Sequence, residues 1–203
     1  MTRIELLIVV VVIVILAGMI LPGGHDREKA KAIKCLNNLK NVGLAYRIWA
    51  ADNSDFFPFQ VSTNQQGALE LSNDIVAQFR VLSNELAIPK IVICPSPSSK
   101  IQEPTNWTEF SSKNVSYYVN VGATAKVTNS ILSGDIGFTV DGVPPISGIN
   151  RIRSHAQISF PKDVHSGVAN IVKADGSTAR VKNEKWPSLL GPPESPTNLF
   201  LLP

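Results

Sequence analysis

Residues 4–22 read IELLIVVVVIVILAGMILP, with Glu5 as the only charge. No other feature of this chain limits its fold as much. As a helix the block rises about 27 Å at 1.5 Å per residue, close to the hydrocarbon thickness of a bilayer. It is longer than the apolar region of a secretory signal, and no A-x-A site follows it. A retained transmembrane helix over 1–22 is therefore expected. Val9–Ile15 is wholly β-branched, which disfavours helix in water. In lipid the cost of unpaired backbone groups imposes helix regardless.

The remainder is polar and rich in Asn, Ser, Pro and Gly. From Asp26 to about Ala51, Ile33, Leu36, Leu39, Val42, Tyr46 and Trp49 recur at three- and four-residue steps, which predicts an amphipathic helix with one core face. Asp52-Asn53-Ser54-Asp55 and Pro58 end it. A short helix is expected within 68–86. Strands are expected at Lys90–Cys94, Val115–Val121, Gly137–Val140 and Gln157–Phe160. The strongest hairpin signal is Val168–Ala174 against Ser177–Lys182 across Asp175-Gly176, the preferred pair for a two-residue type I′ turn. The tail 186–203 is proline-rich and expected to be extended. The organisation predicted is α+β: a long N-terminal membrane and amphipathic helix packed on a mostly antiparallel sheet, with a head over 23–185.

Charge excludes one large class of partner. Nineteen basic and 16 acidic residues leave a formal net charge of +3. Basic residues do not cluster with aromatics, so no nucleic-acid surface is expected. No hydrolase, phosphate-loop, dinucleotide or zinc-protease motif occurs, and an enzyme is not expected. Cys35 and Cys94 are the two cysteines. Their number and spacing do not make a zinc motif. They form either a disulfide, closing a loop of about 60 residues worth roughly 4 kcal/mol, or two buried thiols. Asp52, Asn53 and Asp55 offer calcium-type oxygens, but the run lacks the later Gly and Glu of an EF-hand loop and reads first as a helix stop.

Thr2-Arg3-Ile4-Glu5-Leu6-Leu7 resembles the methylation motif of type IV prepilins, with Thr2, Ile4, Glu5, Leu6 and Leu7 matching. Cys35-Leu36-Asn37-Asn38-Leu39-Lys40, Cys94-Pro95-Ser96, Tyr117-Tyr118-Val119-Asn120, and His165 followed after nine residues by Asp175-Gly176 resemble landmarks of a pseudopilin-like family with an H-x9-D-G motif. The resemblance implies a structural subunit of a type II secretion or type IV pilus-like assembly. It implies a single pass through the bacterial inner membrane, with the head in the periplasm or on the cell surface. Other pilin-like subunits would be its partners, as would a prepilin peptidase if a leader lies upstream. Glu5 would meet the N-terminal amine of an adjacent subunit, Pro22 would bend the helix, and Met1 would be the processed and methylated residue of a mature form. Basic residues after the span (Arg27, Lys29, Lys31, Lys34) would instead place the head inside by the positive-inside rule. The alternative function is a membrane-tethered exported binding module that does not polymerise. His165, Asp175 and Gly176 are read as structural, Asp175-Gly176 as the hairpin corner.

Overall fold

The computed structural model describes residues 2–20, 24–95, 103–162, 164–190 and 198–203. It opens with helix α1 (Arg3–Ile20) and continues with helix α2 (Gly24–Asp52). The expected membrane span is corrected here. Among the described residues no helix is long and apolar enough to cross a membrane. Arg3 and Glu5 interrupt the first turns of α1, and the uncharged remainder of that helix, from Leu6 to its end at Ile20, rises only about 22 Å, short of a roughly 30 Å hydrocarbon layer. The single-pass inner-membrane location expected from the sequence lapses with it.

Two short helices follow, α3 (Ile75–Arg80) and α4 (Ser83–Leu86). Asp74 caps α3, its Oδ1 accepting from the N–H groups of Val76 and Ala77. The sheet is built from β1 (Tyr117–Asn120), β2 (Ile131–Asp135), β4 (Gly148–Ile152), β6 (Val168–Lys173), β7 (Thr178–Lys182) and β8 (Asn198–Leu202). Strands β3 (Thr139–Val140) and β5 (Ile158–Ser159) pair separately, and helix α5 (Trp186–Leu189) follows β7. The six-stranded sheet has the order β4-β8-β1-β2-β6-β7, and all its pairs are antiparallel.

Helix α2 lays one stripe on this sheet. Ala32, Cys35, Leu39, Val42, Tyr46 and Trp49 are buried at alternating three- and four-residue steps. The C-terminal half of the stripe is as the sequence predicts. Its first turns are rotated: Ile33 is exposed and Leu36 half-buried, because the small Ala32 and the bonded Cys35 take the inner positions. At Gly43 the helix comes so near the sheet that an added Cβ would lie 2.3 Å from Val172 Cγ2. Tyr117, Val119, Leu132, Val172 and Leu201 share one core with the buried stripe of α2. Tyr118, Ile131, Ala169, Ile171 and Phe200 form a second core with Phe138, Phe160 and Trp186 on the other face. The period-two alternation of a strand thus serves both layers.

Several expected elements differ. Lys90–Cys94 is not a strand; Pro89–Val92 forms a 3₁₀ turn, since Pro89 fixes the φ of a helical first position. The hairpin of β6 and β7 is present, but its turn is not type I′. Gly176 has φ +82° while Asp175 is not at positive φ, and the Lys173 N–H donates to Ser177 O at 2.8 Å. This is a three-residue loop, Ala174-Asp175-Gly176, with glycine in the left-handed position. The segment expected as an extended tail contributes α5 and β8, and β8 lies between β4 and β1. Phe57 and Phe59 pack on Tyr46 at 5.8 and 6.2 Å, so the aromatic run at 56–59 is chiefly core.

Candidate functional site

Three strand and loop segments bring a buried polar cluster to the N-terminal half of α2. Cys35 projects from α2 and is joined to Cys94 by a disulfide, with Cα atoms 5.0 Å apart. Of the two alternatives open from the sequence, the structure carries the disulfide. Residues 165–167 run through three consecutive positive φ values, +46° at His165, +63° at Ser166 and +77° at Gly167. This tight loop, closed by the Gly167 N–H donating to Val164 O at 2.8 Å, tucks His165 inward until it is 6% exposed. Its Nε2 lies 3.2 Å from Cys94 Sγ and 3.6 Å from Asp135 Oδ2. Asp135, at the end of β2, accepts on the same oxygen from the backbone N–H and the side-chain amide of Asn170, at 2.8 and 2.9 Å.

Burial governs the charges. Asp135 is pushed up to about 7 by desolvation, against the opposing pull of the Asn170 hydrogen bonds and the Arg180 guanidinium. Desolvation, aided by Arg180, holds His165 below the usual imidazole range. Both shifts favour the neutral forms, and at 3.6 Å the two side chains are not hydrogen-bonded. Burial thus works against an ion pair at this contact. Desolvation, with the Asp135 charge adding to it, keeps Tyr117 and Tyr118 protonated. Asp135 Oδ1 and His165 Nδ1 are buried with no hydrogen-bond partner among the described residues. Cys35, Cys94 and His165 place their two sulfurs and a ring nitrogen within 4.8 Å of one another. Sequence reasoning assigned His165 a structural role and did not single out Asp135. These donors lie far apart in the chain: the β2–β6 register, Gly134 opposite Ile171, sets Asp135 beside Asn170, and the disulfide to α2 and the tight loop at His165 bring in the rest.

The remaining sequence-predicted residues lie elsewhere. Asp175 is exposed at the hairpin corner, and its Oδ1 accepts from the Ser177 N–H at 2.8 Å. Hydrogen bonds from Ser177 hold it below the usual carboxylate range. The H-x9-D-G residues therefore do not form one site: His165 belongs to the buried cluster, while Asp175 and Gly176 make the turn. Asp52, Asn53 and Asp55 end α2. The Asn53 amide donates to Trp49 O at 2.8 Å, and the Asp55 N–H donates to Ala50 O at 2.9 Å. Glu5 opens α1 in a reciprocal cap: the Thr2 N–H donates to Glu5 Oε2 at 2.7 Å, and the Glu5 N–H donates to Thr2 Oγ1 at 3.3 Å. Met1 and Pro22 lie outside the described residues.

A cleft of about 380 Å³ opens near β1, β2 and α5, with Asn120, Ser130, Lys173, Ser188 and Asn198 among its walls. Trp107 is half-buried. Its ring lies 5.1 Å from Phe110 and its Nε1–H donates to Ala87 O. In comparisons with protein-family models, curated proteins and solved structures, the chain has no significant match.

Proposed function

We propose that this chain is a pilin-like structural subunit of a type II secretion or type IV pilus-like assembly, and that its partners are other pilin-like subunits. The observation that carries this reading is α1. Every large apolar side chain from Ile4 to Leu16 is between 48% and 72% exposed. Apolar surface all round a helix demands cover, and monomeric proteins rarely leave an apolar area of this size to water. Helices from neighbouring subunits supply that cover by packing apolar ridges against one another. At the head of α1, Glu5 faces the amine of the next subunit, so that the two charges are buried as a pair. The fold is consistent with this role: α2 lies on an antiparallel sheet whose two faces are both buried, which leaves α1 as the large apolar surface among the described residues.

Glu5→Gln separates the intermolecular role from the local one. Glutamine keeps the reciprocal cap with Thr2 but removes the charge. The subunit role predicts that Glu5→Gln is lost from sheared filament fractions while the cellular level of the protein is unchanged. Normal incorporation would remove the intersubunit ion pair. A second reading, a binding module that does not polymerise, has two observations in its favour: the cap already satisfies Glu5 within one chain, and the cleft beside Asn120 offers polar groups to a small ligand. That reading predicts absence from filament fractions for the wild type as well.

A further inference from the structure

We propose that reduction of the Cys35–Cys94 disulfide turns the buried cluster into a binding site for a thiophilic divalent cation of the zinc class, held by the two thiolates and His165 Nε2, with Asp135 facing the fourth position.

The donor set is the first argument. Two sulfurs and an imidazole nitrogen within 4.8 Å of one another are the ligand types that zinc takes. Around a tetrahedral ion with Zn–S of about 2.3 Å and Zn–N of about 2.1 Å, neighbouring donors sit roughly 3.5–3.8 Å apart. The cluster therefore needs adjustments of only about 1 Å once the sulfurs are released from each other. Asp135 Oδ2 is 3.6 Å from Nε2, the spacing of two donors on one such ion.

The second argument is the cost of the present arrangement. A disulfide needs only an apolar shell. This one has a carboxyl and an imidazole against it, and Asp135 Oδ1 and His165 Nδ1 are buried without partners among the described residues, each at the cost of its lost hydration. His165 and Ser166 are adjacent non-glycine residues in the left-handed region, a conformation that residues other than glycine hold at a cost in strain. The loop carries this strain and still directs Nε2 at Cys94 Sγ. Charge is the third argument. Two thiolates cancel a dication, and a neutral imidazole adds no charge, so the complex can be buried without an unpaired ion.

The chemistry balances. A dithiol reductant gives two electrons and two protons to the disulfide and becomes a disulfide itself. Cys35 and Cys94 emerge as thiols, and the cation displaces their two protons on binding. The site is closed in an oxidising compartment and open in a reducing one.

The test uses the full chain, reduced with a phosphine that does not chelate metal and titrated with Co²⁺. Expected are one Co²⁺ per chain, thiolate-to-cobalt charge-transfer bands with the visible bands of a tetrahedral ion, and displacement of both by Zn²⁺. The oxidised chain should show neither. His165→Ala retains the disulfide for folding. After reduction it should bind at least about 10- to 100-fold more weakly, the loss seen when even an outer-shell partner is removed, and with altered visible bands. Three results would overturn the proposal: a reduced, folded chain without charge-transfer bands, a reduced chain that unfolds and is not restored by Zn²⁺, or His165→Ala binding as the wild type does. Comparing oxidised with reduced wild type needs no substitution, so a poorly folding variant does not blunt the test.

Discussion

Gly43 sits in the middle of α2, where a glycine ordinarily weakens a helix, and its replacement by alanine distinguishes packing from propensity. In an exposed helix, Gly→Ala stabilises by about 1 kcal/mol. Here the added methyl would lie 2.3 Å from Val172 Cγ2 and 3.4 Å from Gly176 Cα. Val172 is fully buried, and its branched side chain has few rotamers to escape into. Overpacking of this kind costs about 1–3 kcal/mol, and so short a contact belongs at the upper end. Gly43→Ala is therefore expected to destabilise by about 1–2 kcal/mol, read as a lower guanidinium midpoint with an unchanged slope. The clash predicts its own rescue. Val172→Ala alone should cost about 2 kcal/mol, but in the double variant the methyl introduced by Gly43→Ala enters the vacated space. The two costs should then fall short of additivity by at least about 1 kcal/mol. A Gly43→Ala variant more stable than the wild type, or strict additivity with Val172→Ala, would refute the close approach of α2 to β6.

Other consequences follow from the same structure. Replacing both Cys35 and Cys94 by serine releases a loop with a sequence separation of 59, and calorimetry should register a loss of about 4 kcal/mol on the chain-entropy account; an unchanged melting temperature would contradict it. Asn120→Ala removes an amide that donates to Ile131 O and Asn198 Oδ1 and a carbonyl that accepts from the N–H groups of Gly122 and Leu199. Denaturant unfolding should show a loss of about 3 kcal/mol, because β1, β2 and β8 all lose satisfied polar groups. Asp135, facing His165, Arg180, Asn170, Tyr117 and Tyr118, has its folded-state value raised to about 7 from an ordinary value near 4. Between these values the folded oxidised chain holds more protons than the unfolded one. This contribution is therefore full below about pH 4 and is lost as pH rises through about 7. The lowered His165 slopes the other way, gaining as pH climbs toward about 6.5. Against Asp135→Asn, which keeps an acceptor for Asn170, the wild type should lose relative stability from about pH 4 to 7. Parallel curves would sink that assignment.

What the sequence made legible was local. The Asp175-Gly176 pair marked the hairpin because glycine tolerates the φ of the corner, although the loop closes with three residues and not two. The stripe from Leu39 to Trp49 marked α2 by spacing alone. Its first turns were misphased because Ile33 is more hydrophobic than Ala32, and only the tertiary structure selects the smaller residue and the bonded Cys35 for the inside. Strand β2, Ile131–Asp135, escaped notice because its five residues include Ser, Gly and Asp yet are all buried, a pattern without alternation. Strand β8 follows a proline-rich stretch that suggests no central strand. The apolar block at 4–22 suggests a span, but the charges of Arg3 and Glu5 fall within the first turns of α1 (Arg3–Ile20), and among the described residues no helix is long and apolar enough to cross a membrane. Asp135 could not have been found from its neighbours in sequence, since its environment comes from α2, β6 and the loop at His165.

Whether α1 is a surface shared between subunits can be tested by placing a photo-crosslinking residue at Val12, which is 48% exposed on that helix. The account predicts a ladder of adducts joining copies of this chain or other pilin-like subunits through α1, and its loss in Glu5→Gln. A wild-type chain that gives no such adducts, or the same ladder with and without the Glu5 charge, would contradict it.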